Sequence, residues 1–187
     1  LLNILSHDVQ RIERLITDYS QMLKDEVALS KEKMKKIDIG PIIQSVVEDY
    51  NSINNLKKNI TINFKNDGNT NYFIKGIENR IEQIIANLLD NSISFSEEGS
   101  NILVFLTISA KYEVTIKIID EGRGFKENDT NKIFKRFYSN RPDKFGEHSG
   151  LGLNIVKNLV DIHEGKIFAS NRENKNGAEI EINFPST

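Results

Sequence analysis

The residues best suited to chemistry lie in three short stretches of this chain. Asn87 and Asn91 are four positions apart in a segment with helical spacing, which puts both amides on one helix face. A glycine loop occupies residues 120–124, and a second one, residues 146–153, leads into another amphipathic segment. A lone glycine loop serves any tight turn. Three polar elements in this order, however, predict a pocket for a nucleotide and its metal ion.

Each of the three stretches suits one part of such a ligand. Asp120 ends an apolar run typical of a strand, so its carboxylate can accept a hydrogen bond from the exocyclic amine of adenine, while Gly122 and Gly124 let the backbone approach the base. Gly150 and Gly152 precede and open a helix whose free N–H groups suit phosphate. An amide oxygen can ligate Mg²⁺ without adding charge. The plainer alternatives are a strand-end turn, a glycine-rich linker, and asparagines that are simply frequent in this chain.

The composition limits the class of protein. The chain has 187 residues and a formal net charge of −2, which suggests no general affinity for nucleic acid or anionic membrane. It has no cysteine, which excludes disulfides, thiolate catalysis and zinc–thiolate sites. No apolar run is long enough to cross a bilayer, and no signal peptide opens the chain. Because the first residue is not Met, we expect a piece of a larger protein.

Two regions with different patterns predict the elements that position the polar residues. Residues 1–36 contain no Gly or Pro and repeat apolar residues at helical spacing, which predicts one long amphipathic helix whose apolar face needs a partner helix. Its lysine cluster, Lys31, Lys33, Lys35 and Lys36, is interpreted as a solvated helix end. Residues 37–187 mix helical and strand patterns.

The second region predicts three helices, six strands and a lid. The first helix begins at an Asp38 cap and runs through Tyr50, and the others span residues 77–95 and 151–163. The predicted strands are residues 60–64, 72–74, 102–109, 114–120, 166–169 and 178–184. Residues 126–149 are polar and loop-like apart from an apolar cluster, and predict a lid that becomes ordered around bound nucleotide. The members of that cluster are Ile133, Phe134, Phe137 and Tyr138.

This order of motifs resembles the catalytic ATP-binding domain of two-component sensor histidine kinases, in the superfamily shared with DNA gyrase, Hsp90 and MutL. Residues 87–91 resemble the family's N box, and residues 120–124 resemble its first glycine box. Residues 133–138 resemble the F box, residues 146–153 the second glycine box, and residues 177–185 the closing strand. The resemblance covers residue 38 to the end. Within the family, residues 137–150 are most similar to the ChvG/ExoS-like kinases of alphaproteobacteria.

The resemblance implies a fold and a role for each motif residue. The fold is the two-layer α/β sandwich of the GHKL (Bergerat) superfamily, a mixed sheet covered on one face by three helices. Asn91 would ligate Mg²⁺, Asn87 would lie beside the phosphates, Arg136 would face the γ-phosphate and Asp120 would hold adenine. The expected catalytic residues are Asn87 and Arg136. The expected ATP-binding residues are Asn87, Asn91, Phe95, Asp120, Gly122, Gly124, Phe137, Ser149, Gly150, Leu151, Gly152 and Leu153.

Two positions refine that expectation. The family's N box places a lysine three residues after its second asparagine, where this chain has Ser94, so a phosphate-contacting positive charge is missing. Lid residues Lys135, Arg136 and Arg141 are candidates to replace it. Hydrolytic members of the superfamily carry a general-base glutamate where this chain has Asn87, and an amide cannot accept that proton. The resemblance therefore implies a protein-histidine kinase, a transferase and not a hydrolase.

His7 mimics the phosphoacceptor histidine of the family, because Ser6-His7-Asp8 lies in a predicted helix. The proline that usually follows is absent, and too few residues separate His7 from Asn87 to hold the acceptor helix, its partner helix and a linker. Residues 11–18 instead resemble the second helix of the dimerization and phosphotransfer bundle. We therefore expect His7 to be an ordinary helix residue, no phosphoacceptor in this chain, and two parts: residues 1–36 from a truncated phosphotransfer domain and residues 37–187 as the catalytic domain.

The resemblance also implies partners. These are ATP with Mg²⁺, a response regulator receiver domain, the protein's own acceptor-helix domain and a second copy in a full-length homodimer, but no nucleic acid. The full-length protein would be an inner-membrane sensor with this part on the cytoplasmic side, and would meet the membrane only through segments outside this chain. The alternatives are an anti-sigma-type protein kinase, which would not need the first helix, and a non-catalytic ATP-dependent regulatory module, for which Arg136 would be dispensable. We expect His148 and His163 to be structural or solvated.

Overall fold

A computed structural model describes residues 32–54, 59–68, 71–109, 111–126, 130–136, 138 and 150–187, together with residues 9, 13, 16, 17, 19 and 20. Within these ranges the α-helices are α1 (Ile39–Asn54), α2 (Glu78–Phe95) and α3 (Gly152–Ile162), and a 3₁₀ helix spans Thr130–Phe134. The strands are β1 (Lys35–Asp38), β2 (Thr61–Asn66), β3 (Phe73–Gly76), β4 (Asn101–Ile108), β5 (Glu113–Ile119), β6 (Lys166–Asn171) and β7 (Ala178–Pro185).

Five of the strands form a mixed sheet in the order β2-β4-β5-β7-β6. β2 and β4 are parallel, and the other neighbouring pairs are antiparallel. β7 is the last strand in sequence, but it lies inside the sheet between β5 and β6. Its register places Glu179 opposite Ile119, so the start of β7 lies beside the residue that follows β5. That residue is Asp120, and the topology therefore brings the first glycine loop against the C-terminal hairpin.

The core lies between this sheet and a layer of three helices. The apolar stripe of α2 is completely buried, and it packs with the inward-facing side chains of β4, β5 and β7. The α2 members are Ile81, Ile84, Ile85, Leu88 and Leu89. Burying one such side chain stabilises the fold by about 1.5–3 kcal/mol. The opposite face of the sheet is more open, since Phe168 on β6 is 52% exposed. The predicted two-layer α/β sandwich is confirmed.

One predicted helix end is wrong. Lys35 and Lys36 do not end a helix, because they belong to β1, which pairs antiparallel with β3 in a separate two-stranded sheet. The Lys36 Nζ atom lies 4.6 Å from the centroid of the Phe73 ring, within cation–π range. Lys35 and Lys36, interpreted from the sequence as part of a helix end, are exposed residues of a strand, and Lys33 precedes that strand, while Lys31 lies outside the described residues.

Glu32, in the segment before β1, forms an ion pair with Arg80 of α2. Both guanidinium nitrogens Nε and Nη2 of Arg80 donate to the Glu32 carboxylate, at 3.3 and 2.9 Å, although Arg80 itself is almost fully buried. Asp38 makes a second local anchor, because its Oδ1 accepts from the N–H groups of Gly40 and Tyr72, both at 3.1 Å. The predicted Asp38 cap of α1 is therefore present.

The long N-terminal helix and the lid are described only in part. Val9, Glu13, Ile16, Thr17, Tyr19 and Ser20 are helical, as expected. The rest of residues 1–31 lies outside the described residues, as do residues 127–129, 137 and 139–149 of the lid. The division of the chain at residue 37 stays a prediction. No helix in the described part of the chain is both long and apolar enough to cross a membrane.

Candidate functional site

Asp120 is held rigidly at the end of β5. Its side chain is 7% exposed, and its Oδ1 accepts from the N–H groups of Gly122 at 2.9 Å and Ala178 at 3.0 Å. The Ser92 hydroxyl of α2 also hydrogen bonds the carboxyl group. A carboxylate has about four acceptor positions, so capacity remains for the amine of a base. Burial raises the pKa of the Asp120 carboxyl, and the hydrogen bonds from Ala178 and Gly122 oppose that rise.

The glycines around Asp120 are required by space and by backbone conformation. A Cβ at Gly122 would lie 2.8 Å from the Phe95 carbonyl oxygen, and one at Gly124, where φ is +71°, would lie 2.6 Å from Asn171 Oδ1. Neither distance is compatible with a side chain. The glycines therefore let the loop fit between the end of α2 and β6.

The turn that joins β6 to β7 covers the same loop from outside. The Asn171 amide pairs with the Phe125 backbone, since its Oδ1 accepts from the N–H at 2.6 Å and its Nδ2 donates to the carbonyl at 2.9 Å. Arg172 Nη1 donates to the Asp120 carbonyl oxygen at 3.0 Å. This turn holds both ends of the first glycine loop in place.

The asparagine pair of α2 meets the N-terminus of α3. The nearest side-chain atoms to a Cβ placed at Gly152 would be Asn87 Oδ1 at 3.1 Å and Asn91 Nδ2 at 3.6 Å. Asn87 Nδ2 donates to the Gln83 carbonyl at 2.8 Å, which fixes that amide on the helix surface. Both asparagines are half-buried. The first and third predicted motifs, 65 residues apart at Asn87 and Gly152, are thus in direct contact.

The start of α3 leaves its backbone N–H groups without a side-chain cap. Gly150 has φ of +72°, Leu151 is fully buried, and no side chain caps the helix. The first turn of a helix has N–H groups without intrahelical partners and carries the positive end of the helix dipole. Phosphate oxygens satisfy such groups well. The residues predicted to hold phosphate therefore have the geometry that this role needs.

The F box is anchored next to this helix. Ile133 and Phe134 are buried, and Asn154 Nδ2 of α3 donates to the Phe134 carbonyl at 2.9 Å. The other amide atom, Asn154 Oδ1, is buried without a hydrogen-bond partner in the described part of the chain. Arg136 follows two residues after Phe134 and is exposed. The anchor therefore ties the 3₁₀ helix, two residues before Arg136, to the first turn of α3.

Phe95 lies at the other end of the site, where α2 ends. The Arg123 Cζ atom is 5.2 Å from the centroid of the Phe95 ring, within cation–π range. Gly122 lies between Phe95 and Asp120, because a Cβ at Gly122 would face the Phe95 backbone on one side and the Asp120 side chain on the other. This position agrees with the predicted role of Phe95 beside the base.

The site suits Mg²⁺ bound together with a nucleotide. Among the described residues no group of three or more His, Cys, Asp and Glu side chains could hold a metal ion. Mg²⁺ keeps several waters and uses few protein ligands when phosphate oxygens are present. A half-buried amide at Asn91, beside the N-terminus of α3, fits that requirement.

His163 has a structural position, as expected. It is buried at the end of α3, where its Nδ1 lies 2.7 Å from the Leu159 carbonyl and its Nε2 accepts from the Ile77 N–H at 3.1 Å. These two bonds require the neutral ring with the proton on Nδ1. Burial lowers the pKa of His163, which favours the same neutral form.

The predicted site residues fall into two groups. The structure places Asn87 and Asn91 beside Gly152, and Phe95 and Asp120 on either side of Gly122. Gly124 lies against Asn171 and Gly177, and the roles of Gly150, Leu151, Leu153 and Arg136 stay predictions. Phe137, Ser149, His148 and His7 lie outside the described residues. Sequence reasoning missed Ser92, Asn154, Asn171 and Arg172. Asn171 and Arg172 lie six and five residues before Gly177, in a stretch without a motif that points to the Asp120 loop.

The chain is similar to proteins of one family. Residues 76–187 match the family described as histidine kinase-, DNA gyrase B- and HSP90-like ATPase. The Sensor protein ChvG of Rhizobium meliloti is 33% identical over 183 residues, which cover 95% of this chain and 32% of that protein. The ChvG protein of Agrobacterium fabrum is 32% identical over 197 residues, covering all of this chain and 33% of that protein. The chain thus spans about a third of the length of these curated relatives.

Solved structures of histidine kinases are also similar to this chain. The nucleotide-free catalytic domain of histidine kinase ThkA is 26% identical, with a TM-score of 0.71, and the match covers 83% of this chain and 97% of that one. The structure of ThkA in complex with response regulator protein TrrA matches at 25% identity and a TM-score of 0.71, over 98% of this chain and 52% of that one.

Proposed function

Since the chain belongs to the histidine kinase-, DNA gyrase B- and HSP90-like ATPase family, we propose that it is the ATP-binding catalytic part of a sensor histidine kinase. The observation that carries the proposal is the contact between Gly152 and the pair Asn87 and Asn91, next to the buried Asp120 loop. That arrangement offers one place for a base and another, at a helix N-terminus, for a phosphate chain.

Different residues contact the base and the phosphates of ATP in this proposal. Asp120 accepts a hydrogen bond from the adenine amine, and Phe95 flanks the base. Gly150, Leu151, Gly152 and Leu153 donate backbone N–H groups to the phosphates, and Ser149 and Phe137 belong to the same binding set. Asn91 ligates Mg²⁺, which neutralises phosphate charge when bound, and Asn87 lies beside the phosphates. Arg136 faces the γ-phosphate, where a positive charge stabilises the transferring group.

The reaction is a phosphoryl transfer to a histidine on another element. The lone pair of the unprotonated imidazole nitrogen forms the phosphorus–nitrogen bond while the bond between the γ-phosphorus and its bridging oxygen breaks, so that ADP leaves with that electron pair. The proton on the other ring nitrogen then passes to water. Asn87 supports transfer over hydrolysis, because its amide cannot act as a general base for water. The phosphoryl group then passes to an aspartate of a response regulator.

The partners follow from the same reaction. We infer that the acceptor histidine lies on a helix outside this chain, in the protein's own phosphotransfer domain, and that a full-length homodimer presents it. The complex of ThkA with TrrA supports a response regulator as the second partner. The alignment with the ChvG relatives extends well before residue 76, which supports an N-terminal phosphotransfer segment. The full-length protein would be an inner-membrane sensor with this part on its cytoplasmic side.

Nucleotide binding by an Asp120→Asn variant tests the assignment. Asn keeps the oxygen that accepts from Gly122 and Ala178, but it replaces the other carboxylate oxygen by an N–H donor that faces the adenine amine. We expect the affinity for Mg-ATP to fall by about 1–3 kcal/mol, while GTP binding stays weak. Isothermal titration with both nucleotides measures the difference.

Glu173→Gln is the matched control, because it removes one carboxylate charge from an exposed turn near the same loop. It should bind ATP like the parent. The proposal fails if Asp120→Asn binds ATP as tightly as the parent does, or if the parent binds GTP equally well.

A further inference from the structure

Arg172 ties the Asp120 loop to the turn between β6 and β7. Its Nη1 donates to the Asp120 carbonyl oxygen at 3.0 Å and to the Asn176 carbonyl oxygen at 3.4 Å. Its backbone N–H donates to the Gly177 carbonyl at 3.1 Å. A single residue therefore links the end of β5 to both sides of this turn.

Close packing at Gly177 makes the link rigid. Gly177 has φ of +128°, and a Cβ there would lie 2.0 Å from the Asp120 carbonyl oxygen and 2.7 Å from Arg172 Cδ. The Asp120 carbonyl is thus enclosed between a glycine backbone and the Arg172 side chain. Because the same turn leads into Ala178, whose N–H donates to Asp120 Oδ1, the turn fixes both the backbone and the carboxylate of Asp120.

The positive charge of Arg172 and the hydrogen bonds to the Asp120 carboxyl both favour the ionised form of that carboxyl. Asp120 is buried, and a buried carboxylate is costly unless donors and a positive charge compensate for its lost hydration. The electrostatic influence of Arg172 favours the ionised carboxyl, as do the hydrogen bonds from Ala178, Gly122 and Ser92. The ionised form is the one that only accepts hydrogen bonds, and the adenine amine needs an acceptor.

We propose that Arg172 is a positioning residue for adenine recognition, which holds the Asp120 backbone and favours its charged carboxylate from outside the pocket. The proposal rests on the role of Asp120 in the proposed function. It predicts that Arg172 contributes to the preference for ATP over GTP although it lies behind Asp120.

The experiment compares nucleotide selectivity in four variants of this chain. Arg172→Gln removes the charge and the guanidinium, Arg172→Lys keeps the charge, and Lys175→Gln removes one charge from an exposed residue of the same turn as a control. Arg172→Gln is also combined with Asp120→Asn. Titration with Mg-ATP and Mg-GTP gives each affinity, and thermal melting reports whether each variant is folded.

We expect Arg172→Gln to bind ATP about tenfold more weakly, with GTP affinity unchanged, because a hydrogen bond and a charge near Asp120 are lost. Lys175→Gln should match the parent, and Arg172→Lys should recover part of the loss. In the Asp120→Asn background the same substitution should cost less than about twofold, since the two residues act as one unit.

Equal losses for ATP and GTP, a parent-like selectivity in folded Arg172→Gln, or a full loss in the Asp120→Asn background would each overturn the proposal. If Arg172→Gln does not fold, the ATP affinity of Arg172→Lys tests the proposal instead. Parent-like ATP affinity in that variant would mean that Arg172 stabilises the fold and does not position Asp120 for adenine. A parent protein without preference for ATP contradicts the proposed function instead, and the role of Arg172 with it.

Discussion

At the scale of single residues, two buried polar side chains, Asp120 and His163, each join a nearby backbone group to one that lies far away in sequence. Asp120 takes its donors from Gly122 and Ala178, and His163 bridges Leu159 and Ile77. A buried polar group that loses its partner costs about 1–3 kcal/mol, so each of these bonds fixes two elements relative to one another.

His163 makes the stability of the domain depend on pH. Burial lowers its pKa, so the unfolded chain binds a proton more tightly than the folded chain between the two pKa values. The contribution of the buried, neutral His163 to the free energy of unfolding is therefore complete above about pH 6.5, the ordinary histidine pKa. It is lost as the pH falls below that value. Urea unfolding at pH 7.5 and pH 5.5 should show lower stability at the acidic pH. His163→Gln should be less stable than the parent at pH 7.5 and should lose part of this pH dependence; an unchanged dependence would contradict the prediction.

Sequence patterns revealed the site residues whose chemistry is local, and missed those whose partners are distant. Gly122 and Gly124 stand in a recognisable loop next to Asp120, and Asn87 and Asn91 share a helix face because of their spacing. Arg172 gave no comparable signal, since its partner is a backbone carbonyl 52 positions away that only the pairing of β5 with β7 brings near.

At the scale of elements, α3 contacts both α2 and the 3₁₀ helix. Its first residue, Gly152, contacts the asparagine pair of α2, and two residues later Asn154 holds the Phe134 carbonyl at the end of the 3₁₀ helix. A shift of α3 would therefore move the predicted phosphate site and the start of the lid together.

Removing the Asn154 anchor should loosen the lid start. Asn154→Ala loses one hydrogen bond, worth about 1 kcal/mol, and leaves the Phe134 carbonyl unpaired. We expect faster hydrogen exchange in residues 130–136 and weaker ATP binding. Asn158→Ala, one turn later on the same helix, is the control and should exchange like the parent. Identical exchange in the two variants would show that the anchor does not hold the lid.

The helices and most strands of the catalytic region could be predicted because their apolar periods are strong. β1 could not, since Lys35-Lys36-Ile37-Asp38 has one apolar residue and continues a run rich in lysine. What makes it a strand is pairing with β3, with Lys36 placed over Phe73, and neither contact leaves a local pattern.

At the scale of the whole molecule, the proposed function assigns ATP binding and the phosphoacceptor to different parts of the protein. The described residues include most of the groups proposed for ATP, Phe137 and Ser149 lie outside them, and the acceptor histidine is expected outside this chain. His7 stays a weak candidate by sequence alone, and its surroundings lie outside the described residues.

This chain should therefore bind ATP without phosphorylating itself. A phosphotransfer helix pair supplied as a separate chain should accept the phosphoryl group, because the proposed site needs only an imidazole presented to the γ-phosphate. Labelled ATP followed by acid and base treatment checks this, since phosphohistidine is labile in acid and stable in base. Acid-labile label on this chain alone that disappears in His7→Gln would make His7 the acceptor.

The central place of β7 in the sheet has a consequence for how the protein is made. Among the described strands β6 pairs with β7 alone, and Asp120 receives one of its donors from Ala178 at the start of β7. On the ribosome, a chain that has been synthesised as far as β6 has an incomplete sheet and no closed adenine pocket. The nascent protein should become able to bind nucleotide in one late step, when β7 leaves the ribosome and inserts between its neighbours, and ATP could then act as a ligand that completes the folding of the newly made domain.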